Sequence, residues 1–536
     1  MKKTAAIFTA IFLAATLFAQ EEAIEQETAS SPESAALAPQ EENVEPAALS
    51  EQDERWVVKD IVFDSKGGTK VSALKRRINA APGRTFKSRQ DLDAFIIDIK
   101  QRLINERLFE SVEIDVEEGG TENGANEVLL NVKTVDSGHF LFMPYPKYDS
   151  NEGFEFKVKL KDDNFMGLMN PLSSDVFVQY ETKEGKSDDF VTGASLEYQL
   201  PFSMGPIQAS WNNDLFFKYA FIRSEPEWNL KTGFTFVLPF ERHSLRLDLT
   251  QGFVRDADYK VFNDELYWVE NAKFSIPIVL ERFKKIGDLT YTPAVEIDAK
   301  WTIDGINPVD EDLLSPKLTF SHGLSLGQVN WFGNFRKGFA ASAIQSMAYN
   351  FYLNEFQPGV KITANAFAAW KYAGINSRLT LFAEKNTFVR FGKYLRGVSD
   401  DQYFAGFPKT PNGYATKGAA AIILNFDFPI HFMTVRWRDW GVPFLSFFDC
   451  EVQVVPFVDL ALTANRVTNR VFDPRDGFYC AGLEVIVFPE KWKSVQIRTS
   501  LGLDIGRLLL KDKIDTSWRD EKSNKYELTV GIGLFY

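Results

Sequence analysis

The sequence predicts a mainly β protein, in which a small α/β domain precedes a transmembrane antiparallel β-barrel of about 16 strands. The final stretch, Tyr526 to Tyr536, shows the barrel pattern most clearly. Apolar side chains there alternate with polar or small ones: Leu528, Val530, Ile532, Leu534 and Tyr536 against Glu527, Thr529, Gly531 and Gly533. Because successive side chains of a strand point to opposite faces, one face suits lipid and the other suits water. A single strand cannot satisfy its backbone hydrogen bonds in lipid, so the pattern requires a closed barrel.

The composition agrees with such a barrel and argues against helical membrane spans. The mean hydropathy is only −0.19, as expected where only alternate residues of each strand meet lipid. Beyond the N-terminus, no run approaches the roughly 18 consecutive apolar residues that a membrane-spanning helix needs. The aromatic fraction of 14%, with 48 Phe, is typical of the aromatic belts at membrane interfaces.

The N-terminus predicts export. Lys2 and Lys3 precede an apolar run from Ala5 to Phe18, which is the pattern of a cleaved signal peptide over residues 1–19. Residues 20–54 contain eleven acidic residues and no Lys or Arg, so we expect a disordered acidic linker. This linker carries most of the net charge of −13, and the acidic balance therefore does not describe a binding surface.

Residues 55–136 predict a β-α-α-β-β domain. A strand through Ile61 and Phe63 leads to a short helix from Val71 to Ile78, and Ser88 is placed to cap a second helix. Apolar residues of the second helix recur at spacings of three and four, which gives one stripe facing a sheet. These residues are Leu92, Phe95, Ile96, Ile99 and Leu103. Two alternating strands, Val112 to Val116 and Val128 to Val132, complete the domain.

Residues 137–536 alternate throughout, and charged residues occupy every second position in many strands. Phe154 to Lys161 and Val295 to Trp301 are examples. Charges at this density require a water-filled lumen. An exported soluble β-sandwich is the alternative, but its inner faces pack against each other and do not accommodate rows of Lys and Glu.

Proline recurs near the ends of strands in an apolar-Pro context, at Pro201, Pro239, Pro277, Pro429 and Pro489. Since proline lacks the donor that a ladder needs, these positions mark one end of the barrel at every second strand. Matching that end to the chain terminus makes it the periplasmic end. Strand boundaries placed in this way allow 18 strands as well as about 16.

One candidate site combines a loop with two strands. The long loop from Val389 to Thr416 lies on the side opposite the prolines, and long loops of this kind are often functional. It contains Arg396, followed by Gly397. The strand after it directs Asp427 into the lumen, and a later strand directs Phe457 and Asp459 inward. An arginine that folds into the lumen meets two carboxylates there, a pairing favoured away from bulk water.

These motifs resemble those of the outer-membrane assembly-factor superfamily, the BamA/TamA group and its two-partner secretion relatives. Leu395-Arg396-Gly397-Val398 is similar to the family's (V/I)RG(F/Y) loop motif, and Phe457 to Ala461 to its FxDxG strand motif. Phe447-Phe448-Asp449 is a competing match, which leaves Asp449 as the alternative to Asp459. A terminal aromatic residue, here Tyr536, resembles the C-terminal signal of outer-membrane barrels.

The α/β domain resembles a POTRA domain. The resemblance is carried by the element order, by Gly83-Arg84-Thr85-Phe86 before the second helix, and by Leu108 to Val112 entering the next strand. Arg107-Leu108 replaces the glycine that this family usually has before the Phe. The resemblance implies a periplasmic domain that receives client chains by adding a strand to an exposed sheet edge.

The resemblance also implies a barrel of the surface-antigen type whose first and last strands pair poorly, so that the wall opens sideways to nascent outer-membrane strands. The local sequence is compatible with a weak lateral seam. Pro144 and Pro146 remove donors from the first strand, while Gly531 and Gly533 weaken the last. The alternative to a weak seam is that Pro144 and Pro146 are ordinary prolines at the end of a strand. The alternative for Arg396 and Asp459 is an ion pair that only fastens the loop.

Three functions remain open at this point: an insertase that folds outer-membrane proteins, a two-partner-secretion pore, and a passive channel or surface antigen. The expected partners are unfolded outer-membrane or secreted clients, outer-membrane lipid and periplasmic accessory proteins. We find no sequence pattern for a metal, nucleotide or nucleophile, so we expect no enzymatic activity, no cofactor and no nucleic acid. Cys450 and Cys480 are predicted near opposite ends of neighbouring strands, too far apart for a disulfide.

Overall fold

The computed structural model describes residues 55–78, 82–122, 125–149, 153–181, 189–255, 266–283, 286–302, 316–351, 354–384, 394–398, 419–437, 439–465, 468–519 and 525–533. The predicted signal peptide, the acidic linker, most of the loop from Val389 to Thr416, and Tyr536 lie outside these residues. No helix in the described part of the chain is long and apolar enough to cross a membrane.

The N-terminal module, residues 55–136, is a four-stranded sheet with two helices. In chain order its elements are β1 (Arg55–Lys66), α1 (Val71–Ile78), β2 (Thr85–Phe86), α2 (Arg89–Asn105), β3 (Phe109–Glu122) and β4 (Ala125–Asp136). The strand order is β2-β1-β4-β3, with β1 parallel to β4 and the other pairs antiparallel. The two-residue β2 lies between the helices and was not part of the predicted β-α-α-β-β order.

Helix α2 follows from its sequence signals. The Ser88 hydroxyl accepts a hydrogen bond from the backbone N–H of Asp91 at 3.2 Å and so caps the helix. One stripe of the helix is buried, through Leu92, Phe95, Ile99 and Leu103. This stripe packs with apolar residues of the sheet into a single core, which also includes Met169 from beyond the module.

The second sheet is a closed antiparallel barrel. Its segments are β5 (Phe140–Asp149), β6 (Gly153–Asp162), β7 (Leu172–Glu181), β8 (Asp189–Met204), β9 (Ile207–Ala220), β10 (Glu225–Pro239), β11 (Ser244–Arg255), β12 (Leu266–Ser275), β13 (Ile278–Phe283), β14 (Gly287–Trp301), β15 (Lys317–Phe332), β16 (Phe335–Asn350), β17 (Glu355–Ala369), β18 (Gly374–Glu384), β19 (Ala419–Asp427), β20 (Ile430–Val435), β21 (Cys450–Asn465), β22 (Arg470–Val471), β23 (Phe478–Pro489), β24 (Ile497–Asp504) and β25 (Tyr526–Ile532). A short helix, α3 (Ile505–Leu509), lies between β24 and β25.

Prolines explain why the segments outnumber the strands. β12 and β13 both pair with β14 and are separated by Ile276 and Pro277, and β19 and β20 both pair with β21 and are separated by Phe428 and Pro429. The two-residue β22 pairs with the end of β21, the strand with which β23 also pairs. The 21 described segments, less these three, leave 18 barrel strands, the higher of the two counts that the sequence allowed.

The module lies at the proline end of the barrel. The backbone N–H of Gly138, which follows the module, donates to the carbonyl of Lys491 at 2.9 Å, just beyond Pro489 at the end of β23. We call this the module end and the opposite one the far end. Cys450 and Cys480 are free thiols. Cys450 pairs in register with Pro489 at the module end, whereas Cys480 pairs with Asp459 further along the same two strands.

Candidate functional site

An arginine from the far-end loop lies inside the barrel. Arg396 belongs to the described loop segment 394–398, and its side chain is only 4% exposed. Its Nε and Nη2 donate to the two carboxylate oxygens of Asp459 at 2.9 and 2.8 Å, and its backbone N–H donates to Asp459 Oδ2 at 2.9 Å. Asp459 on β21 is fully buried. The structure therefore joins Arg396 and Asp459 by a bidentate, charge-assisted contact, the strongest class of hydrogen bond in proteins.

Two further carboxylates surround the same guanidinium. Arg396 Nη2 donates to Asp427 Oδ1 at 2.6 Å, and Nη1 lies 3.6 Å from Glu484 Oε2 on β23. The guanidinium carbon lies 3.7 Å from the centre of the Phe457 ring, so a cation–π contact covers its face. Arg396 thus faces three buried carboxylates, of which Glu484 also lies 3.7 Å from Arg498 Nη1. Removal of Arg396 is costly because Asp459 and Asp427 would lose the cation that they bind.

Asn425 and Glu484 complete the network. The side-chain amide of Asn425 donates to Asp459 Oδ1 at 2.9 Å and to the carbonyl of Tyr394 at 2.8 Å. It therefore orients both the acceptor and the loop backbone. The sequence analysis did not identify Glu484. The available signal was an acidic residue between Leu483 and Val485, at an inward position of a strand that is otherwise apolar.

Gly397 allows the backbone of the loop to approach the backbone of the barrel wall closely. Its φ of +99° falls in the region that favours glycine, and a Cβ at this position would lie 2.7 Å from the backbone nitrogen of Leu503. A Cβ on Gly502, on the facing strand β24, would lie 2.6 Å from Gly397 N. The Gly397 N–H donates to Glu527 Oε2 at 2.8 Å. The loop therefore contacts both β24 and the last strand, β25.

Apolar packing holds the loop segment in place. Leu395 and Val398 are fully buried and share a cluster with Phe478, Cys480 and Trp518. Trp518 comes from the connection between β24 and β25 at the far end. The positions where this chain departs from the loop motif, Leu395 and Val398, are therefore core residues, and an aliphatic side chain fits each of them.

A second buried arginine fastens the β24–β25 connection. Arg519 Nη1 donates to Asp504 Oδ2 at 3.1 Å, and another guanidinium nitrogen donates to the carbonyl of Gly477. Arg519 is 5% exposed and Asp504 is fully buried. Its guanidinium carbon lies 4.0 Å from the centre of the Phe478 ring. Two arginine contacts therefore hold separate segments at the far end of the lumen.

The alternative aspartate does not contact the loop arginine. Asp449 Oδ1 accepts a hydrogen bond from the backbone N–H of Trp437 at 2.9 Å. It lies in the turn between β20 and β21 at the module end, directly before Cys450. Its described contact orders a turn, whereas Asp459 is the residue that binds Arg396.

The first and last barrel strands are joined by one residue pair among the described residues. Thr529 of β25 faces Asp149 of β5, whereas β5 and β6 share ten pairs and β24 and β25 share seven. We call this junction the seam. Pro144 and Pro146 lie on β5 between that pair and the module end. Gly531 lies near the end of β25, and Gly533 directly follows this strand. The Gly533 N–H donates to the carbonyl of Gln496 at 2.8 Å, in the β23–β24 turn.

The module end of the first strand is tied to the same turn. Trp492 Nε1 donates to the carbonyl of Phe140 at 2.9 Å, and Gly138 N–H donates to Lys491 O. Phe140 begins β5, so the start of this strand contacts the β23–β24 turn. Among the described residues, the seam therefore has contacts at the module end and one residue pair nearer the far end.

The N-terminal module lies across the opening of the barrel. It contacts three turns that are spread around the ring: Arg77 donates to Met169 O at 2.9 Å, Asn105 to Asn330 at 2.9 Å and Arg107 to Gly333 O at 2.9 Å, while Lys493 donates to Glu110 O at 2.9 Å. These turns connect β6 with β7, β15 with β16, and β23 with β24. The sequence analysis did not predict these contacts.

Known structures resemble this fold at low similarity. No family model matches the sequence, and a search of curated proteins finds no match. Similar solved structures include BamA from Haemophilus ducreyi lacking POTRA domains 1-3, at 14% identity and a TM-score of 0.35, with 88% of this chain and 84% of that chain covered. CdiB from Acinetobacter baumannii has 11% identity and a TM-score of 0.44, covering 90% and 74%. CdiB from Escherichia coli has 10% identity and a TM-score of 0.46, covering 89% and 76%. Similarity at this level is no basis for assigning an activity.

Proposed function

We propose that this protein is an outer-membrane assembly factor that inserts client β-strands through the seam between β5 and β25. The observation that carries the proposal is that one residue pair, Asp149 with Thr529, joins these strands among the residues that the structure describes. An unpaired strand edge is a template for another strand, and proteins usually suppress such edges. A seam kept weak in an otherwise fully paired barrel gives a client a place to add its first strand.

The interior arrangement supports lateral insertion over transport through the lumen. The Arg396 segment lies inside the lumen towards the far end, and its buried contacts with Asp459, Asp427 and Glu484 oppose its displacement. The Gly397 contact with Glu527 couples this segment to β25. We infer that the loop stabilises the last strand in its open-edged position while the wall opens beside it.

In this proposal, the N-terminal module is the periplasmic receiving domain. Its sheet ends on β3, which pairs only with β4 among the described strands. A client segment can add to this edge by main-chain hydrogen bonds. The module's contacts with the β23–β24 turn place it on the turn that also anchors the start of β5. The clients would be unfolded barrel proteins, and outer-membrane lipid would be their destination.

A secretion pore is the second candidate. The observation in its favour is the charged inner face of the barrel, for example the contact at 3.3 Å between Lys159 and Asp175 on neighbouring strands. A translocated chain would need the module to leave the barrel opening and the Arg396 segment to leave the lumen. The two candidates therefore differ in which part of the barrel must move.

Assembly in proteoliposomes distinguishes them. The purified protein would be reconstituted in lipid, an unfolded outer-membrane barrel added, and its folding followed by the heat-dependent gel shift. Asp149→Cys with Thr529→Cys, in a background of Cys450→Ser and Cys480→Ala, provides a tether across the seam. Ser342→Cys with Thr363→Cys provides the control, since these residues face each other on β16 and β17 away from the seam.

If the protein is an assembly factor, it accelerates folding of the client barrel. This activity is lost when the disulfide across the seam forms, and it is kept when the disulfide of the control pair forms. Acceleration that survives the seam disulfide would contradict insertion through the seam. No acceleration, together with ion conductance that the seam disulfide leaves unchanged, would favour the pore.

A further inference from the structure

We propose that the outer wall of the barrel carries a binding site for a membrane lipid whose acyl chain bears a hydroxyl group, centred on His322 and Gln345. These residues face each other directly across β15 and β16. Nothing in the loop network or the seam involves them, since they lie on the tenth and eleventh of the 18 strands. The seam joins the first and the last, on the opposite side of the ring.

Both side chains point towards lipid. His322 lies between Phe320 and Leu324 on β15, and these two residues are 55% and 45% exposed. Alternate residues of a strand share a face, so His322 shares their outward direction. Gln345 shares the outward face of β16 with Met347, which pairs with Phe320. Apolar residues thus flank the polar pair along the strand on both sides, which places it within the apolar belt.

Neither polar side chain has a protein partner among the described residues. His322 makes a ring contact with Tyr291, with centroids 6.0 Å apart, but its side chain has no hydrogen bond. The side chain of Gln345 has no hydrogen bond either. Another outward polar pair, Gln251 with Glu270, is bonded at 2.9 Å. A polar group in hydrocarbon without a hydrogen bond costs free energy. His322 and Gln345 therefore need a partner from outside the chain, and in this belt the available partner is lipid.

The wall around the pair is concave. A cavity of about 430 Å³ lies over it, with a mainly apolar lining. The lining residues that share the outward face are Phe274, Tyr291, Pro293, Val295, Phe320 and Met347. Part of the cavity borders the interruption at Ile276, where β12 and β13 are separated. The wall has a recess there because the strand is interrupted. A flexible acyl chain fits a recess better than the convex wall of a second barrel does.

The chemistry of the pair selects a hydroxyl. Neutral imidazole offers one donor and one acceptor, and the amide of Gln345 offers both kinds. A hydroxyl donates and accepts, so one such group satisfies both side chains. Lipid headgroups stay at the membrane interface, whereas this pair has apolar neighbours on both sides. The matching group is thus carried on the acyl chain, which occupies the apolar recess.

Binding can be measured with two lipids that differ in one group. The full-length protein would be placed in nanodiscs of phosphatidylcholine whose acyl chain carries a mid-chain hydroxyl, or of the same lipid without it. Retained lipid would be counted by native mass spectrometry. His322→Leu with Gln345→Leu tests the site. Gln251→Leu with Glu270→Leu is the matched control, because it removes an outward polar pair whose members bind each other.

We expect the wild-type protein and the control to prefer the hydroxylated lipid at least about fivefold, the value of one hydrogen bond, and the test variant to bind both lipids equally. The heat-dependent gel shift shows that each variant is folded. Equal retention of the two lipids by the wild type, or a preference that persists in the test variant, overturns the proposal. A wild-type dimer in sedimentation that the test variant abolishes would assign the face to a second copy and overturn it too.

Discussion

Arg107 stacks on Trp331, a residue of the barrel, with its guanidinium carbon 4.2 Å from the ring centre, although its own backbone has a φ of +56°. This left-handed conformation, which glycine adopts most readily, lies directly after helix α2. The same guanidinium donates to Gly333 O at 2.9 Å, to Asn334 Oδ1 at 2.8 Å and to Lys493 O. The contacts with the barrel explain why arginine occupies a position that suits glycine.

Arg107→Gly separates local strain from docking. Glycine relieves the strain of the left-handed backbone, worth roughly 1 kcal/mol, but removes three hydrogen bonds and a stacking contact. We expect the module to leave the barrel opening, so that ion conductance in planar bilayers rises several-fold. Ser224→Gly is the control, because Ser224 also has a positive φ, of 55°, at a far-end turn. Equal conductance of the two variants would show that Arg107 does not hold the module in place.

Arg396→Lys tests the buried network. Lysine keeps the charge but cannot form the bidentate contact with Asp459, and a lost hydrogen bond to a charged group costs about 1.5–3 kcal/mol. We expect a marked decrease in the temperature at which the folded barrel unfolds in the gel-shift assay. Arg246→Lys is matched to it, since Arg246 makes a bidentate contact with Asp248 at 2.8 and 2.9 Å but is exposed. An exposed pair contributes about 0–1 kcal/mol, so equal effects would contradict a buried role for Arg396.

Gly397→Ala tests the close approach of the loop to β24. The added Cβ would meet the Leu503 nitrogen at 2.7 Å, and the backbone φ of +99° is unfavourable for alanine. We expect destabilisation of about 1–3 kcal/mol, measured as a lower gel-shift temperature, and weaker protection of the loop from protease. Gly68→Ala should have little effect, because a Cβ there has no neighbour within 4 Å. A harmless Gly397→Ala would show that the loop is not packed against β24.

Glu106 predicts a pH dependence in the module. Burial raises the pKa of Glu106 above its usual range, although Arg77, at 3.3 Å, acts in the opposite direction. A carboxyl with a raised pKa binds a proton more readily in the folded state, so stability rises as the pH falls from above the folded pKa towards the unfolded value. The protection factors of the α2 amides in the full-length protein, which correct for the intrinsic pH dependence of hydrogen exchange, should therefore rise as the pH falls across this window. Glu106→Gln should remove the dependence, and a variant that retains it would assign the effect to another group.

The strand pattern determined the main architecture. Alternation of apolar and polar residues identified the barrel because side-chain direction in a strand has a period of two, and proline marked its ends because it lacks a donor. The same alternation placed Asp427, Phe457 and Asp459 inward. The Arg396 motif then indicated which residue would meet them. These inferences need only the local chain and its immediate neighbours in sequence.

Other relationships depend on which strands become neighbours. Glu484 joins Arg396 because β23 lies beside β21, and Trp518 packs on Leu395 because the β24–β25 connection folds over the loop. The seam is defined by a register between the two ends of the barrel, with Thr529 opposite Asp149. Neither hydrophobic period nor residue type specifies that register, since a seam pair is separated by almost the whole barrel.

The sequence by itself determined the fold class, the inward carboxylates and the loop arginine, because each follows from periodicity or from a short motif. The tertiary structure alone decided that the module covers the opening. Arg107 and Lys493 are 386 residues apart, and Arg107 appeared in the sequence only as a departure from a glycine. Contacts at such separations arise when the barrel closes and brings its turns together, and closure is a property of all the strands at once.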